Sequence, residues 1–106
     1  MSGVFAVRFT NAARDDLLRL FDFLLQRAQT VEDFDGAQTA IDAIVSAIEV
    51  QLRRSPFIYR KAGDDPFLRE LIIPFRGTGY VALYEIADAA TVNIRAVRHQ
   101  LEDDYH

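Results

Sequence analysis

Two stretches of helical periodicity stand back to back in the first half of the chain, too close together to be anything but packing partners. Leu17, Phe21, Leu24 and Ala28 recur at steps of three and four, with Leu18 and Leu25 beside them. Thr30-Val31-Glu32-Asp33 breaks the pattern, and Phe34, Ala37, Ile41, Ile44, Ile48 and Leu52 then resume it for about five turns. The spacing predicts one amphipathic helix to about Gln29 and a second, capped by Asp33, that stops before Ser55-Pro56. Thr10-Asn11 offers the first helix its N-cap, and Asp15 and Asp16 fall in its first turns, where the helix dipole favours acids. So short a link leaves the two helices antiparallel, as a helical hairpin.

The surface that such a hairpin needs is legible on either side of it. Val4-Phe5-Ala6-Val7-Arg8-Phe9 is short, apolar and rich in β-formers. After a loop from Pro56 to Pro66 come Phe67 to Ile73, ending at Pro74, then Tyr80 to Ile86, then Thr91 to Arg98. Arg76-Gly77-Thr78-Gly79 supplies the glycines for a tight reversal, and Ala87-Asp88-Ala89-Ala90 the next turn. Connections this short predict an antiparallel meander, with the N-terminal strand joining its edge. The order is β-α-α-β-β-β: an α+β fold in which a helical hairpin packs on an antiparallel sheet. With 106 residues the chain has room for one domain, residues 1–106, and no second core.

Charge is distributed unevenly. Residues 1–52 carry four Arg against eight acids, residues 53–98 eight Lys or Arg against five acids, and residues 99–106 three acids with no Lys or Arg. The net charge of −4 argues against a general nucleic-acid binder, which is basic overall, so any such role rests on a patch between Arg53 and Arg98. Absence of cysteine excludes disulfides, thiol catalysis and thiolate-bound zinc. His99 and His106 are the only histidines, and the acids beside them form a run without ligand spacing, so no metal site is expected. Gly77-Thr78-Gly79 lacks the following helix of a phosphate-binding loop, and no cofactor is expected. Residues 1–8 do not read as a signal peptide, and every apolar run falls short of the about 18 residues of a membrane span. The expectation is a soluble cytoplasmic protein with no membrane partner.

In the second half the sequence resembles the RelE/ParE toxin superfamily, and the likeness of element order extends along essentially the whole chain. Leu68-Arg69-Glu70-Leu71 is similar to the beginning of the family's second strand. Arg76-Gly77-Thr78-Gly79-Tyr80-Val81-Ala82-Leu83-Tyr84 resembles its arginine, short turn and Tyr-x-x-x-Tyr strand. Ala96-Val97-Arg98-His99-Gln100, with Glu102-Asp103-Asp104-Tyr105 after it, is similar to the ending of many ParE-like members. The resemblance implies the toxin of a type II toxin–antitoxin system, associated with plasmid stabilisation. Its expected partner is a cognate ParD-like antitoxin with a DNA-binding N-terminus and a flexible C-terminal tail.

Two activities follow from the resemblance. RelE-like members cut mRNA in the ribosomal A site, whereas ParE-like members poison DNA gyrase and stall it on cleaved DNA. Cleavage by a 2′-hydroxyl needs a base, an acid and cations over the phosphate. The candidates are Arg76, His99, Tyr105 and His106. Elsewhere the nuclease pattern is missing: Val81 stands where the family has a basic residue, Ile72-Ile73-Pro74-Phe75 replaces lysines, and the ending is acidic. A gyrase poison needs a docking surface and no catalytic set, so this reading is preferred, with Arg69, Arg76, Arg95 and Arg98 as target-binding residues. A non-toxic binding module of the same fold is the third alternative. Phe23, Phe57, Ile58, Tyr59 and Phe67 exceed what the stripes and strands need, so some are expected to stay exposed for apolar antitoxin residues. Asp15, Asp16 and Asp22 are expected to meet basic antitoxin side chains beside Phe23, Phe57 and Tyr59.

Overall fold

The computed structural model describes residues 4–102. Two helices pack on one face of a mixed five-stranded sheet of order β1-β5-β4-β3-β2. The strands are β1 (Ala6–Phe9), β2 (Arg60–Lys61), β3 (Leu68–Phe75), β4 (Thr78–Asp88) and β5 (Thr91–His99), and the helices are α1 (Asn11–Gln26) and α2 (Val31–Arg54). The expected meander is present: β3 pairs antiparallel with β4, and β4 with β5. β1 does take the edge, but it runs parallel to β5, from Ala6 opposite Thr91 to Phe9 opposite Ile94. β2 is an addition inside the expected loop, pairing Arg60 and Lys61 with Glu70 and Arg69. Because it is so short, β3 keeps an open outer edge beyond Leu71, which is why Pro74 can sit inside that strand.

Thr10 caps α1 as expected, accepting from the Ala13 N–H at 3.1 Å. The link to α2 differs from expectation. Thr30, not Asp33, is the N-cap of α2, its hydroxyl accepting from the Asp33 N–H at 3.1 Å. The Asp33 carboxylate reaches back to the Gln29 N–H at 3.0 Å, a reciprocal arrangement of the capping-box kind. The first helix ends at Gln26, short of the expected Gln29, with the Arg27 N–H donating back to the Leu24 carbonyl.

The core lies between the hairpin and the sheet. Ile44, Ile48 and Leu52 of α2 are fully buried, as their stripe predicts, while Phe34 at its start is half exposed. On α1 the buried line runs through Ala13, Asp16 and Leu20, one step from the expected stripe, and Leu18 is 61% exposed. Tyr80, Ala82, Tyr84 and Ile86 of β4 alternate toward the helices. On β5 the parity changes, because Leu83 faces Ala96 while Tyr84 faces Ile94, leaving Arg95 as the extra residue of a bulge. Ile94 and Val97 thereby both reach the helix face. Among the described residues no helix is long and apolar enough to cross a membrane.

Candidate functional site

The two glycine-region residues between β3 and β4 make a tight reversal: Arg76 has φ 47° and Gly77 φ 78°. Both are left-handed, which is the requirement of a two-residue hairpin turn of matching twist, where Asn-Gly is the favoured pair. Arg76 pays for that conformation with strain, since its Cβ crowds the carbonyl oxygen by about 1–2 kcal/mol. Its guanidinium lies 5.1 Å from the Phe75 ring centroid, beside Gly36 of α2.

The same end of the molecule holds the close of β5. His99 packs edge-on against Tyr80, with ring centroids 5.3 Å apart. Its Nδ1 accepts from the Leu101 N–H at 3.1 Å, and its Nε2 lies 2.6 Å from the Thr78 hydroxyl. Since a backbone N–H can only donate, the ring proton of the neutral histidine sits on Nε2 and points at Thr78. Arg98 Nη1 donates to the Glu102 carbonyl at 2.9 Å and reaches those of His99 and Gln100 at 3.3 and 3.4 Å. Arg19 of α1 donates to Glu102 Oε2 at 3.0 Å and to the Val97 carbonyl at 3.3 Å. Glu102 Oε1 accepts from the His99 N–H at 2.8 Å. These bonds fold the chain after β5 into a fixed turn against α1.

Between that turn and α1 runs an open trough of about 680 Å³. Its floor is Leu20, Leu24 and Tyr80, and its rims are Phe23, 52% exposed, and Leu101, 80% exposed. A further hollow of about 370 Å³ shares Leu24, Arg27, Thr78 and Tyr80 with it and continues past Arg76 to the start of α2. Burial pushes the Tyr80 hydroxyl above its ordinary pKa of 10.0. At the opposite end of β4, Phe5, Phe57 and Phe67 stack edge to face at 6.4 and 6.2 Å, over a second hollow beside Ile86.

The expected site residues divide accordingly. Asp16 is a correction: it is 4% exposed, and its carboxylate accepts from the Val97 N–H at 2.9 Å. It braces β5 beside the bulge and is unavailable to a partner, whereas Asp15 and Asp22 are exposed. Arg69 and Arg98 are also spent internally. Arg69 donates to the Tyr59 carbonyl at 2.7 Å and the Pro66 carbonyl at 2.8 Å, over the Phe57 ring, so it pins the loop before β3. Arg76 and Arg95 remain open, with Arg95 3.6 Å from Glu85. Tyr59 is half buried and donates to Gln51, while Phe57, Ile58 and Phe67 stay 48%, 72% and 50% exposed. Phe23 and Phe57 do not share a surface, since Tyr80 and Ile86 place them some 20 Å apart along β4. Tyr105 and His106 lie outside the described residues. Among the described residues no group of acids or histidines has metal-binding geometry.

Arg27, Thr78 and Leu101 went unmarked in the sequence. Only Arg27 had a signal in the sequence: Leu20, Phe23, Leu24 and Arg27 form a row at helical spacing.

The family described as the ParE toxin of the type II toxin–antitoxin system parDE matches residues 7–104. Among solved structures, a chain of the chromosomal ParDE TA system from P. aeruginosa superposes with a TM-score of 0.70 at 15% identity. The match covers 92% of this chain and 98% of that one, and at such identity the likeness is one of fold. No curated protein matches this sequence.

Proposed function

This chain belongs to the ParE toxin family of type II toxin–antitoxin systems, and from that membership we propose that it acts as a surface-docking poison of DNA gyrase, neutralised by a cognate antitoxin. The observation that carries the choice against RNA cleavage is the state of His99. Both ring nitrogens are engaged inside the protein, with Leu101 and Thr78, so the ring bonds a substrate only by giving up a bond within the chain. Arg98, beside it, spends its guanidinium on the carbonyls of the turn, and Arg76 lines the adjoining hollow beside Gly36 and not the trough. The acid, base and cation set of a nuclease is thus not assembled among the described residues. A poison asks only for exposed, shaped surface, and the trough and the aromatic row at the other end of β4 provide it.

Expression of the chain alone in a bacterium carrying a DNA-damage reporter tests the proposal. Growth arrest with the reporter switched on supports stalled gyrase. Arrest with a silent reporter transfers the reading to translation and makes Arg76, His99 and Tyr105 the residues to mutate. Undisturbed growth favours a non-toxic module.

A further inference from the structure

The two edges of the sheet are finished differently. At one edge β3 is shielded by β2, and past Leu71 its Pro74 takes a donor out of the open row. β1, at the other edge, has neither proline nor bulge. The Ala6 N–H donates to the Ala90 carbonyl at 2.7 Å and the Thr10 N–H to the Ile94 carbonyl at 3.1 Å. Pairing alternates along a strand, so Ala6, Arg8 and Thr10 turn their backbone groups toward β5, while Phe5, Val7 and Phe9 turn theirs away. The Phe5 N–H is taken by the Arg53 carbonyl at the end of α2, at 2.7 Å. What remains on the open side is the Phe5 carbonyl, both groups of Val7 and the Phe9 N–H. That is a row of two acceptors and two donors, symmetric about Val7. Beside it an open hollow of about 530 Å³ separates β1 from the last turns of α2. Glu49, Val50 and Arg53 line the hollow and are exposed, and neither Glu49 nor Arg53 has an ion-pair partner among the described residues.

From this self-matching row we infer that β1 is the pairing edge for a second copy of this chain, joined antiparallel about a twofold axis at Val7. The two Val7 residues exchange both backbone bonds, and each Phe9 N–H meets the partner's Phe5 carbonyl. Two five-stranded sheets thereby become one continuous sheet. The register suits the side chains. Phe5 falls opposite the partner's Phe9 on the helix side, an aromatic pair, and Arg8 falls opposite the partner's Ala6, so no like charges face each other. Glu49 lies one helical turn from Arg53, and the two copies bring two of each sign together about the axis, where the charges cancel. Exposed Val4 and Val50 lose solvent in the same step. Any extended strand would find the same donors, but the symmetric row and the balanced charge select a second copy. So short a pairing makes a weak dimer, with a Kd of about 10–100 μM. The inference is independent of the gyrase reading.

Sedimentation velocity of the full chain from about 1 to 500 μM, a span that brackets such a constant, is expected to show monomer giving way to dimer. Glu49→Arg gathers only arginines about the axis, and Arg53→Glu only glutamates. Each variant alone should dimerise at least tenfold more weakly, while an equimolar mixture of the two should recover the original affinity as a heterodimer. Val7→Pro removes the central donor and leaves the bonds to β5 in place, so it too should weaken the dimer at least tenfold with an unchanged circular dichroism spectrum. If that variant fails to fold, the charge variants decide alone. Amide hydrogen exchange reads the strand directly: Val7 and Phe9 should slow as concentration rises, while Ala6 and Arg8 stay slow throughout. A monomer at the highest concentration would overturn the inference, as would a dimer indifferent to both charge variants. Protection that builds up at Ile72 instead of Val7 and Phe9 would move the interface to β3 and overturn it as well. So would Val7 and Phe9 protected in the monomer at every concentration, which makes the occupant of the edge another segment of the same chain.

Discussion

The seam between α1 and the end of β5 and the trough that opens beside it use arginine in opposite ways. In the seam, Arg19 and Arg98 are surrounded by acceptors, and with Asp16 they tie the last strand and the turn after it to the helix. In the trough and the hollow adjoining it, Arg27 and Arg76 rest on aromatic rings and face solvent. The eight Lys and Arg between residues 53 and 98 looked in sequence like one basic patch. The structure divides them by what each guanidinium already touches, so a count of charges does not locate a functional surface. Arginines bonded to the chain's own acceptors carry stability, and exposed ones are free to carry recognition.

That division can be broken or sharpened by substitution. The largest loss is expected at Asp16, where Asp16→Ala strands the Val97 N–H in the core and removes the carboxylate beside Arg19. The cost is about 2–3 kcal/mol, read as a fall in melting temperature of roughly 10 °C or more. Asp16→Asn keeps an acceptor for Val97 and should recover most of it. Equal loss in both variants would mean that charge, not the hydrogen bond, is what the seam requires.

Next is Tyr84, fully buried, whose hydroxyl donates to the Pro56 carbonyl at 2.6 Å. Tyr84→Phe should cost about 1–2 kcal/mol in denaturant unfolding, because the carbonyl is left without its partner. The same residue gives a pH dependence. Burial raises its pKa well above the usual 10.0, against a lowering by Arg69 and with a small push up from Tyr59. The folded chain therefore keeps a proton that the unfolded chain releases near pH 10. Stability from this group is full below that pH and is lost as pH rises above it. Tyr84→Phe should flatten that alkaline decline, leaving the share due to Tyr80.

A smaller effect is expected where β4 begins. A Cβ on Gly79 would lie 2.8 Å from Gln100 Oε1 and 3.1 Å from the Ile73 carbonyl. Gly79→Ala should cost about 1 kcal/mol. Adding Gln100→Ala should return only part of it, because the side chain can move and the strand carbonyl cannot. Smallest, and opposite in sign, is Arg76→Gly, expected to raise stability by up to about 1 kcal/mol by removing the left-handed strain. A stability loss there would place Arg76 with the arginines of the seam rather than with the exposed ones.

Much of this fold was legible locally. The Thr10 cap, the long stripe of α2 and the three late strands all follow from residues within one or two turns of each other. What was not legible depends on distant partners. Asp16 reads as a dipole-friendly surface acid until β5 is laid against α1, because its acceptor role is fixed by Val97, 81 positions away. The parallel pairing of β1 and β5 leaves no local mark, and neither does the bulge at Arg95 that turns Val97 inward. The link between the helices misled for a different reason, since Thr30 and Asp33 are both good caps and only their reciprocal bonds decide between them. At the site, Phe23 and Arg76 were recognised singly. The adjoining hollows they line were not, because these are made of α1, the start of α2, the β3–β4 turn and the turn after β5, which lie far apart in sequence.

The central claim is that this chain acts by docking on gyrase and not by cutting RNA. The most direct measurement incubates the purified protein with DNA gyrase, ATP and plasmid, traps covalent complexes with detergent and protease, and quantifies linear DNA. A parallel reaction supplies ribosomes programmed with mRNA. The account predicts linear plasmid that accumulates with protein concentration and intact mRNA. Intact plasmid together with mRNA cut on the ribosome would contradict it.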